Sequence, residues 1–228
     1  MNSKLKFVLL CEVLLGATFL LNQCTSKPDS SEEIATDVAP ESVFVANPIL
    51  VEEKPVEKLA IGDAAPPFNL PGIDGSFHKL EDYSDADVLV VNFTCNHCPT
   101  AQAYEDRFID VIDSYKDKNV AFVAISSNSP IGILPEELGY TDLSDTFEEM
   151  KIRAKDKSFN FPYLYDGDTH EFSLAYGPTA TPHVFVFDNE RKLAYSGRID
   201  ASEKPGTANA EDLRRAIDMT LQGKALPK

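Results

Sequence analysis

The sequence is poor in basic residues, in cysteine and in long apolar runs, and each shortage excludes a class of protein. Only 21 Lys and Arg residues stand against 37 Asp and Glu, which gives a formal net charge of −16. Nucleic acids and anionic lipid head groups are bound through Lys and Arg patches, so we expect neither as a partner. Four cysteines are too few for a small scaffold held together by disulfides.

What the sequence does contain is typical of a soluble globular protein. Its 228 residues are 43% hydrophobic and 25% charged, enough to bury one core of ordinary domain size and to leave extra segments. We therefore expect a single folded domain with additional residues beside it.

The first 24 residues have the three-part pattern of a bacterial export signal. Lys4 and Lys6 precede an apolar run, residues 7–21, that is shorter than the ~20 residues a membrane-spanning helix needs. The segment from Leu21 to Cys24 resembles a lipoprotein cleavage box, in which Cys24 becomes the lipidated first residue of the mature protein. We predict a lipid-anchored protein of the bacterial cell envelope, facing the periplasm or the exterior, with an uncleaved anchor and simple secretion as alternatives.

Residues 25–58 are rich in Ser, Pro and Glu and show no helical or alternating period. Such a composition predicts a flexible, acidic spacer. The folded domain is expected over residues 59–228, where apolar periodicity begins. Glycines at 72 and 75 predict a turn between two short strands at its start.

The rest of the domain alternates strand and helix patterns. The predicted strands are Val88–Phe93, Val120–Ile125, Tyr163–Tyr165, His183–Phe187 and Lys192–Ile199, and the predicted helices follow Phe108–Tyr115, Asp145–Lys157, Phe172–Tyr176 and Ala210–Leu221. This order predicts an α/β fold, a central mixed sheet with helices on both faces. The stretch Ser127–Leu143 is predicted to be an inserted loop and a candidate rim of a partner site.

Cys95 and Cys98 form a Cys-x-x-Cys motif that directly follows the apolar strand Val88–Phe93. If a helix begins at the motif, Cys95 lies at its N-terminus, where unpaired N–H groups and the helix dipole favour the thiolate. We therefore expect Cys95 to have a lowered pKa and to be the nucleophile. Cys98, about one turn further on, would attack the mixed disulfide and release the partner.

His97 lies between the two cysteines and has two interpretations. A protonated imidazole would stabilise the thiolate and make the pair more oxidising. A solvated surface histidine with no such role is the alternative.

The two cysteines could have roles other than disulfide exchange, as ligands of a metal ion or as inert buried thiols. Zinc would require two more ligands, and His78, His170 and His183 form no second ligand pair. The pair could also be two inert buried thiols, or it could hold a soft ion such as Cu(I). The leading prediction includes neither a metal nor a cofactor.

Thr181-Pro182 precedes the strand His183–Phe187. A proline at this place suggests a cis peptide bond and a backbone edge that is free to pair with a substrate peptide. A trans turn proline is the alternative on local sequence alone.

Several separate blocks together resemble the thioredoxin superfamily, in particular its redoxin or peroxiredoxin-like (AhpC/TSA-related) branch. These blocks, in order, are Gly62–Phe68, Cys95–Pro99, Ala103–Arg107, Phe161–Asp166, Thr181-Pro182 and Gly197–Asp200. The resemblance implies a thioredoxin-like fold, a redox-active Cys95 and Cys98, and a cis Pro182 that faces them.

The sequence also departs from its relatives in this superfamily. Peroxidatic members carry Pro-x₃-Thr-x₂-Cys. Here Val88 and Asn92 stand at the Pro and Thr positions relative to Cys95, and Val91 and Cys95 stand there relative to Cys98. Thioredoxins carry Trp-Cys-Gly-Pro-Cys, and this chain has no Trp. The pattern favours a thiol–disulfide oxidoreductase that acts on thiol- or disulfide-containing proteins. A thiol peroxidase and a soft-metal-binding or non-catalytic module are the alternatives.

Overall fold

The structure is a computed structural model that describes residues 43–50 and 58–226. The predicted export signal, Cys24 and most of the predicted spacer lie outside the described residues. No helix in the described ranges is both long and apolar enough to cross a membrane.

A small hairpin opens the domain. Strands β1 (Asn69–Pro71) and β2 (Phe77–Lys79) pair antiparallel, as the glycines predicted. Gly75 in the turn has φ +86°, a backbone conformation that residues with a Cβ seldom adopt.

The other five strands form one mixed sheet in the order β5-β4-β3-β6-β7. They are β3 (Val88–Thr94), β4 (Val120–Ser126), β5 (Tyr163–Tyr165), β6 (His183–Phe187) and β7 (Leu193–Gly197). β4 pairs parallel with both β3 and β5, whereas β6 pairs antiparallel with β3 and β7. The sheet confirms the mixed α/β architecture predicted from the sequence.

Four α-helices cover the sheet: α1 (Pro99–Tyr115), α2 (Phe147–Asp156), α3 (Glu171–Tyr176) and α4 (Glu211–Leu221). β3 is buried on both faces, which explains its unbroken apolar run. Val88 and Val90 pack in one core cluster with side chains of α1 and α4. Leu89 and Val91 pack in the opposite cluster with the hairpin and α3. Helices therefore lie on both faces, as predicted.

The predicted spacer ends earlier than residue 58, because residues 43–50 (the 43–50 segment) pack against the domain. The ring centroid of Phe44 lies 4.9 Å from that of Phe147 and 6.3 Å from that of Tyr165. The amide of Ile49 donates to the carbonyl of Gly167 at 3.2 Å. The predicted boundary failed because Phe44 is an isolated aromatic residue in a polar stretch, and its partners lie about a hundred residues away.

Candidate functional site

The two cysteines lie in a loop of four residues, Cys95–Cys98 (the redox loop), between the end of β3 and the start of α1. Both are free thiols in this structure. Cys95 is only 2% exposed, whereas Cys98 is partly exposed. The thiol that a partner can reach is therefore that of Cys98.

The expected position of Cys95 at the helix N-terminus is wrong. The N-cap residue of α1 is Cys98, and Pro99 occupies the first helical position. Proline is favoured there, because it has no N–H to leave unpaired and its fixed φ suits a helix. The helix therefore begins after the second cysteine and not before it.

The pKa values of the two thiols follow this placement, so the expected lowering at Cys95 is also wrong. A hydrogen bond from the Cys95 thiol is the largest effect that lowers the pKa of Cys98, to about 5, and the amides of Ala101 and Thr100 act in the same direction. The pKa of Cys95 is raised by that same bond, by burial and by the charge of Asp145. Within this coupled pair, the lower pKa belongs to Cys98.

Thr181 and Pro182 face the redox loop from the start of β6, and the peptide bond between them is cis, as the family resemblance implied. The hydroxyl of Thr181 lies 3.3 Å from Sγ of Cys95. The Cys98 thiol donates to the carbonyl oxygen of Thr181 at 3.5 Å. Sequence positions 95, 98 and 181 therefore come together in one site.

His97 is held by a carboxylate and is not a solvated surface side chain. Its Nδ1 lies 2.7 Å from Oδ2 of Asp145, and the two side chains are 16% and 0% exposed. The bond to Asp145 raises the pKa of His97 despite partial burial, and the nearby charges of Asp145 and Cys98 add to the effect. A positive charge is thereby favoured next to the Cys98 thiolate.

Asp145 is the residue that sequence reasoning missed. Besides the bond from the His97 side chain, it accepts hydrogen bonds from the backbone amides of Asn96 (2.7 Å) and His97 (3.1 Å) and from the side chain of Asn128 (3.0 Å). The signal that could have found it is the adjacent helix start: Thr146 is the N-cap of α2 and accepts from the amide of Glu149. An Asp fixed beside such a cap is well placed to hold a neighbouring loop.

Asn96 shows how firmly the redox loop is fixed. Its side chain donates to the carbonyl of Ser144 at 2.7 Å and accepts from the hydroxyl of Tyr163 at 3.2 Å. Its own carbonyl accepts from Gln102 at 2.8 Å. These bonds tie the loop to β5, to α1 and to the segment before α2, so its backbone is preorganised.

A thiol, an imidazole and a carboxylate come together at Cys95, His97 and Asp145, whose ligand atoms lie within 4.8 Å of one another. Such a set resembles a metal site by spacing alone. Both oxygens of Asp145, however, already accept hydrogen bonds from the redox loop and from Asn128. The cluster is better described as the support of the loop.

A cavity of about 420 Å³ lies beside the redox loop. Its walls come from Leu50, His97, Ser127, Asn128, Ser129, Gly132, Ile133, Glu137 and His170. Most of them belong to the predicted inserted loop Ser127–Leu143, which contains two short 3₁₀ turns. The loop that was expected to form a rim therefore borders the site.

Comparison with known proteins agrees with the sequence resemblance. The model of the AhpC/TSA family matches residues 61–196. A hypothetical protein from Sinorhizobium meliloti has a TM-score of 0.66 at 31% identity, over 76% of this chain and 90% of that one. A conserved uncharacterized protein from Geobacillus kaustophilus has a TM-score of 0.66 at 34% identity, over 76% and 88%.

More distant structures establish the fold. The thioredoxin domain of a thiol-disulfide oxidoreductase from Bacteroides vulgatus has a TM-score of 0.53 at 17% identity, over 72% of this chain and 99% of that one. The fold is therefore thioredoxin-like, as predicted. No curated protein is significantly similar to the chain in sequence.

Proposed function

Because the chain belongs to the AhpC/TSA family of thioredoxin-like oxidoreductases, we propose that it exchanges disulfides with protein partners through Cys95 and Cys98. The observation that carries this proposal is the pairing of a buried thiol with a partly exposed one, both against Thr181. Two inert buried thiols would not leave one of them accessible.

The first step is attack by the Cys98 thiolate on one sulfur of a partner's disulfide. A bond forms between Cys98 and that sulfur, the partner's own S–S bond breaks, and its second sulfur leaves as a thiolate. The placement of Cys98 at the N-cap of α1 and its lowered pKa support this order. It reverses the order expected from the sequence.

The second step resolves the mixed disulfide. The Cys95 thiol transfers its proton to the leaving thiolate of the partner, and its sulfur attacks Sγ of Cys98. The Cys95–Cys98 disulfide forms, the bond to the partner breaks, and the partner leaves with one thiol and one thiolate, which takes its proton from water. The exchange moves two electrons, and its direction depends on the potential of the pair relative to the compartment.

Two further groups assist the exchange. The His97 imidazolium, held by Asp145, stabilises the negative charge on Cys98. Thr181 and Pro182 lie where the backbone of a bound peptide would pass the sulfurs, because β6 begins directly after them. We assign His97 a tuning role, and Thr181 and Pro182 a role in substrate binding.

Single-cysteine variants test the proposal. Mixed with a protein disulfide such as that of insulin, Cys95→Ser should accumulate a mixed disulfide through Cys98, because no second thiol is left to resolve it. Cys98→Ser should accumulate much less, because Cys95 is buried. Trapping by Cys98→Ser alone would restore the order expected from the sequence. Failure of the wild type to reduce insulin and of both variants to trap it would overturn the function.

We also propose that the protein works outside the cytoplasm, anchored by lipid on Cys24. Support comes from the sequence pattern of residues 1–24 and from the acidic spacer that follows. Stable anchoring needs more than one acyl chain, which a lipidated N-terminal cysteine supplies. Mass spectrometry of the membrane fraction should find a mature chain that begins at an acylated residue 24, and Cys24→Ala should release the domain. An intact Met1 or a soluble wild-type protein would contradict the anchor.

A further inference from the structure

Another cavity, of about 340 Å³, lies where Thr181 and Pro182 face the cysteines (the Pro182 groove). Both of these residues line it, and so does Thr100 in the first turn of α1. The Thr181 hydroxyl is 3.3 Å from Sγ of Cys95, and the Thr181 carbonyl oxygen is 3.5 Å from Sγ of Cys98. A partner cysteine that reaches Cys98 past Thr181 and Pro182 therefore has its neighbouring side chains in this groove.

The segment that follows β7 forms another part of the wall, and a buried ion pair fixes it. Nη1 of Arg107 lies 2.6 Å from Oδ2 of Asp200, and both residues are buried. The same guanidinium donates to the carbonyl oxygens of Ser202 at 2.5 Å and Glu203 at 2.6 Å. The backbone that carries the Glu203 side chain is therefore held in place by charged hydrogen bonds.

The Glu203 carboxylate lies close to the sulfur of Cys98. Its Oε2 accepts from the hydroxyl of Thr100 at 3.0 Å. The backbone amide of Thr100 faces Sγ of Cys98 and is one of the groups that lower the pKa of that thiol. Because one residue contacts both groups, the carboxylate is at most roughly 10 Å from the sulfur. A long side chain next to the partner's cysteine can span that distance.

Glu203 also differs from the other charged groups around the groove. The ion pair described above is neutral overall. Arg198 lines the groove, but its Nε donates to Oδ2 of Asp212 at 2.8 Å. Lys204 is exposed and does not line the groove. Glu203 is exposed, and among the described residues its carboxylate has only the hydroxyl of Thr100 as a partner. The groove therefore offers a carboxylate that no cation of the described residues neutralises.

We propose that Glu203 selects partner proteins that carry a Lys or Arg beside the cysteine attacked by Cys98. This inference rests on the proposed function of the pair and names the class of its substrates. The partner's cation pairs with Oε1 of Glu203, while Oε2 keeps its bond to Thr100. The exchange itself is unchanged: Cys98 bonds to the partner's sulfur, the partner's S–S bond breaks, and Cys95 resolves the mixed disulfide. Glu203 determines specificity and transfers no electrons.

Peptide disulfides that differ only in charge test the proposal. They are symmetric disulfides of the tripeptide Xaa-Cys-Xaa with blocked termini, in which Xaa is Lys, Gln or Glu. Stopped-flow rates with the reduced protein are divided by the rates of the same peptides with 2-mercaptoethanol, to remove their intrinsic reactivity. The normalised rate should be about threefold higher for the Lys peptide than for the Gln peptide, because an exposed ion pair contributes up to about fivefold. The Glu peptide should be the slowest. Equal normalised rates would overturn the proposal.

Variants locate the selecting group. Glu203→Gln should lower the ratio of the Lys to the Gln peptide to about one, and its amide oxygen can still accept from Thr100. Glu81→Gln is the matched control, because Glu81 is exposed and absent from the groove wall. It removes the same charge and so measures the attraction that arises from the net charge of −16. A wild-type ratio in Glu203→Gln, or an equal loss in Glu81→Gln, would refute the assignment.

The outcome is separable from that of the proposed function. A protein that reduces insulin and all three peptides without a preference for Lys loses only this inference. A protein that reduces neither insulin nor any of the peptides loses the function of the pair itself.

Discussion

At the scale of single residues, the reactivity of the two cysteines depends on which atoms contact their sulfurs. Pro99 starts α1 after Cys98, so the second cysteine has the helix terminus and the access to solvent. Asp145 fixes the redox loop and its neighbour Asn128 through four hydrogen bonds. The chemical difference between two identical side chains is therefore a difference of surroundings.

The two thiols should differ in reactivity with pH. In Cys95→Ser, where the hydroxyl can still donate to Cys98, alkylation by iodoacetamide should rise with a midpoint below the ~8.5 of an ordinary thiol, because the pKa of Cys98 is lowered. In Cys98→Ser, burial and the charge of Asp145 should hold the midpoint of Cys95 above the ~8.5 of an ordinary thiol. Midpoints in the opposite order, or two ordinary ones, would contradict the assignment.

Asp145→Asn should both loosen the redox loop and change the titration of His97. We expect a loss of about 3 kcal/mol in the free energy of unfolding, because an amide cannot replace a carboxylate that accepts four bonds. The pKa of His97, seen by NMR, should fall. Asp142→Asn, an exposed change nearby, is the control and should have little effect on either.

The pH dependence of that variant has a definite sign. The folded state raises the pKa of His97, so the stabilisation is fully present below the unfolded value of about 6.5 and is lost as pH rises through the folded pKa. The difference in stability between wild type and Asp145→Asn should therefore shrink above pH ~6.5. A difference that grows with pH would show that the His97 contact is not its source.

Peroxide should be a poor substrate. Cys95 occupies the position three residues before Cys98 where peroxidatic members of the superfamily carry Thr, so the group that binds peroxide against the thiolate is missing. The rate of oxidation of Cys98 by hydrogen peroxide should lie within about tenfold of that of an ordinary exposed thiolate. Stopped-flow measurement with Cys95→Ala, which adds no hydroxyl at the Thr position, would decide, and a far higher rate would favour the peroxidase alternative.

At the scale of elements, the site depends on segments that carry little secondary structure of their own. The Ser127–Leu143 loop brings Asn128 and the cavity wall to the redox loop, and the capped start of α2 presents Asp145. The 43–50 segment closes the cavity through Leu50 and the carbonyl of Ile49. The helices and strands thus hold in place the connecting segments that border the site.

The docking of the 43–50 segment should be measurable as stability. Phe44→Ala should lower the free energy of unfolding by about 2 kcal/mol, because it removes a partly buried ring that packs on Phe147 and Tyr165. Chemical denaturation monitors the loss. Val43→Ala is the matched control, because Val43 is 82% exposed and should change stability by less than about 0.5 kcal/mol. Equal effects of the two changes would show that the segment is not docked.

At the scale of the whole molecule, the redox state and the stability of the fold are linked. The native state stabilises the Cys98 thiolate, which exists only when the pair is reduced. A stabilised reduced form makes a dithiol pair a stronger oxidant. The surroundings of the pair thus contribute to its potential as well as to its reactivity.

The reduced protein should accordingly be the more stable form. We expect a higher Tm with dithiothreitol than without it, and a potential less negative than the about −270 mV of thioredoxin, shifted toward the about −120 mV of the strong oxidant DsbA. Equilibration with glutathione buffers gives the potential. A more stable oxidised form, or a potential below about −270 mV, would contradict the proposed thiolate.

The sequence by itself determined the sheet and the hairpin, and it predicted which two cysteines form the proposed redox pair. Unbroken apolar runs predicted β3 and β4 because a strand covered on both faces needs no polar side chains. The spacing of Cys95 and Cys98 after such a run predicted the chemistry, because two intervening residues bring the sulfurs within reach. These features are local. An apolar run within one segment indicates that the segment is buried, and a short spacing indicates which side chains can contact each other.

Only the tertiary structure decided which cysteine is exposed, what supports His97 and what borders the site. Asp145 lies 48 residues from His97, and Thr181 lies 83 residues from Cys98. Such contacts depend on how the strands align and on the path of the long loop, which no periodicity of the sequence encodes. Phe44 is a similar case, because its ring packs against Phe147 of α2 and Tyr165 of β5, which are distant from it in sequence. The proposed pair is recognisable from its local spacing in the sequence. The difference in exposure and pKa between Cys95 and Cys98 arises from tertiary packing.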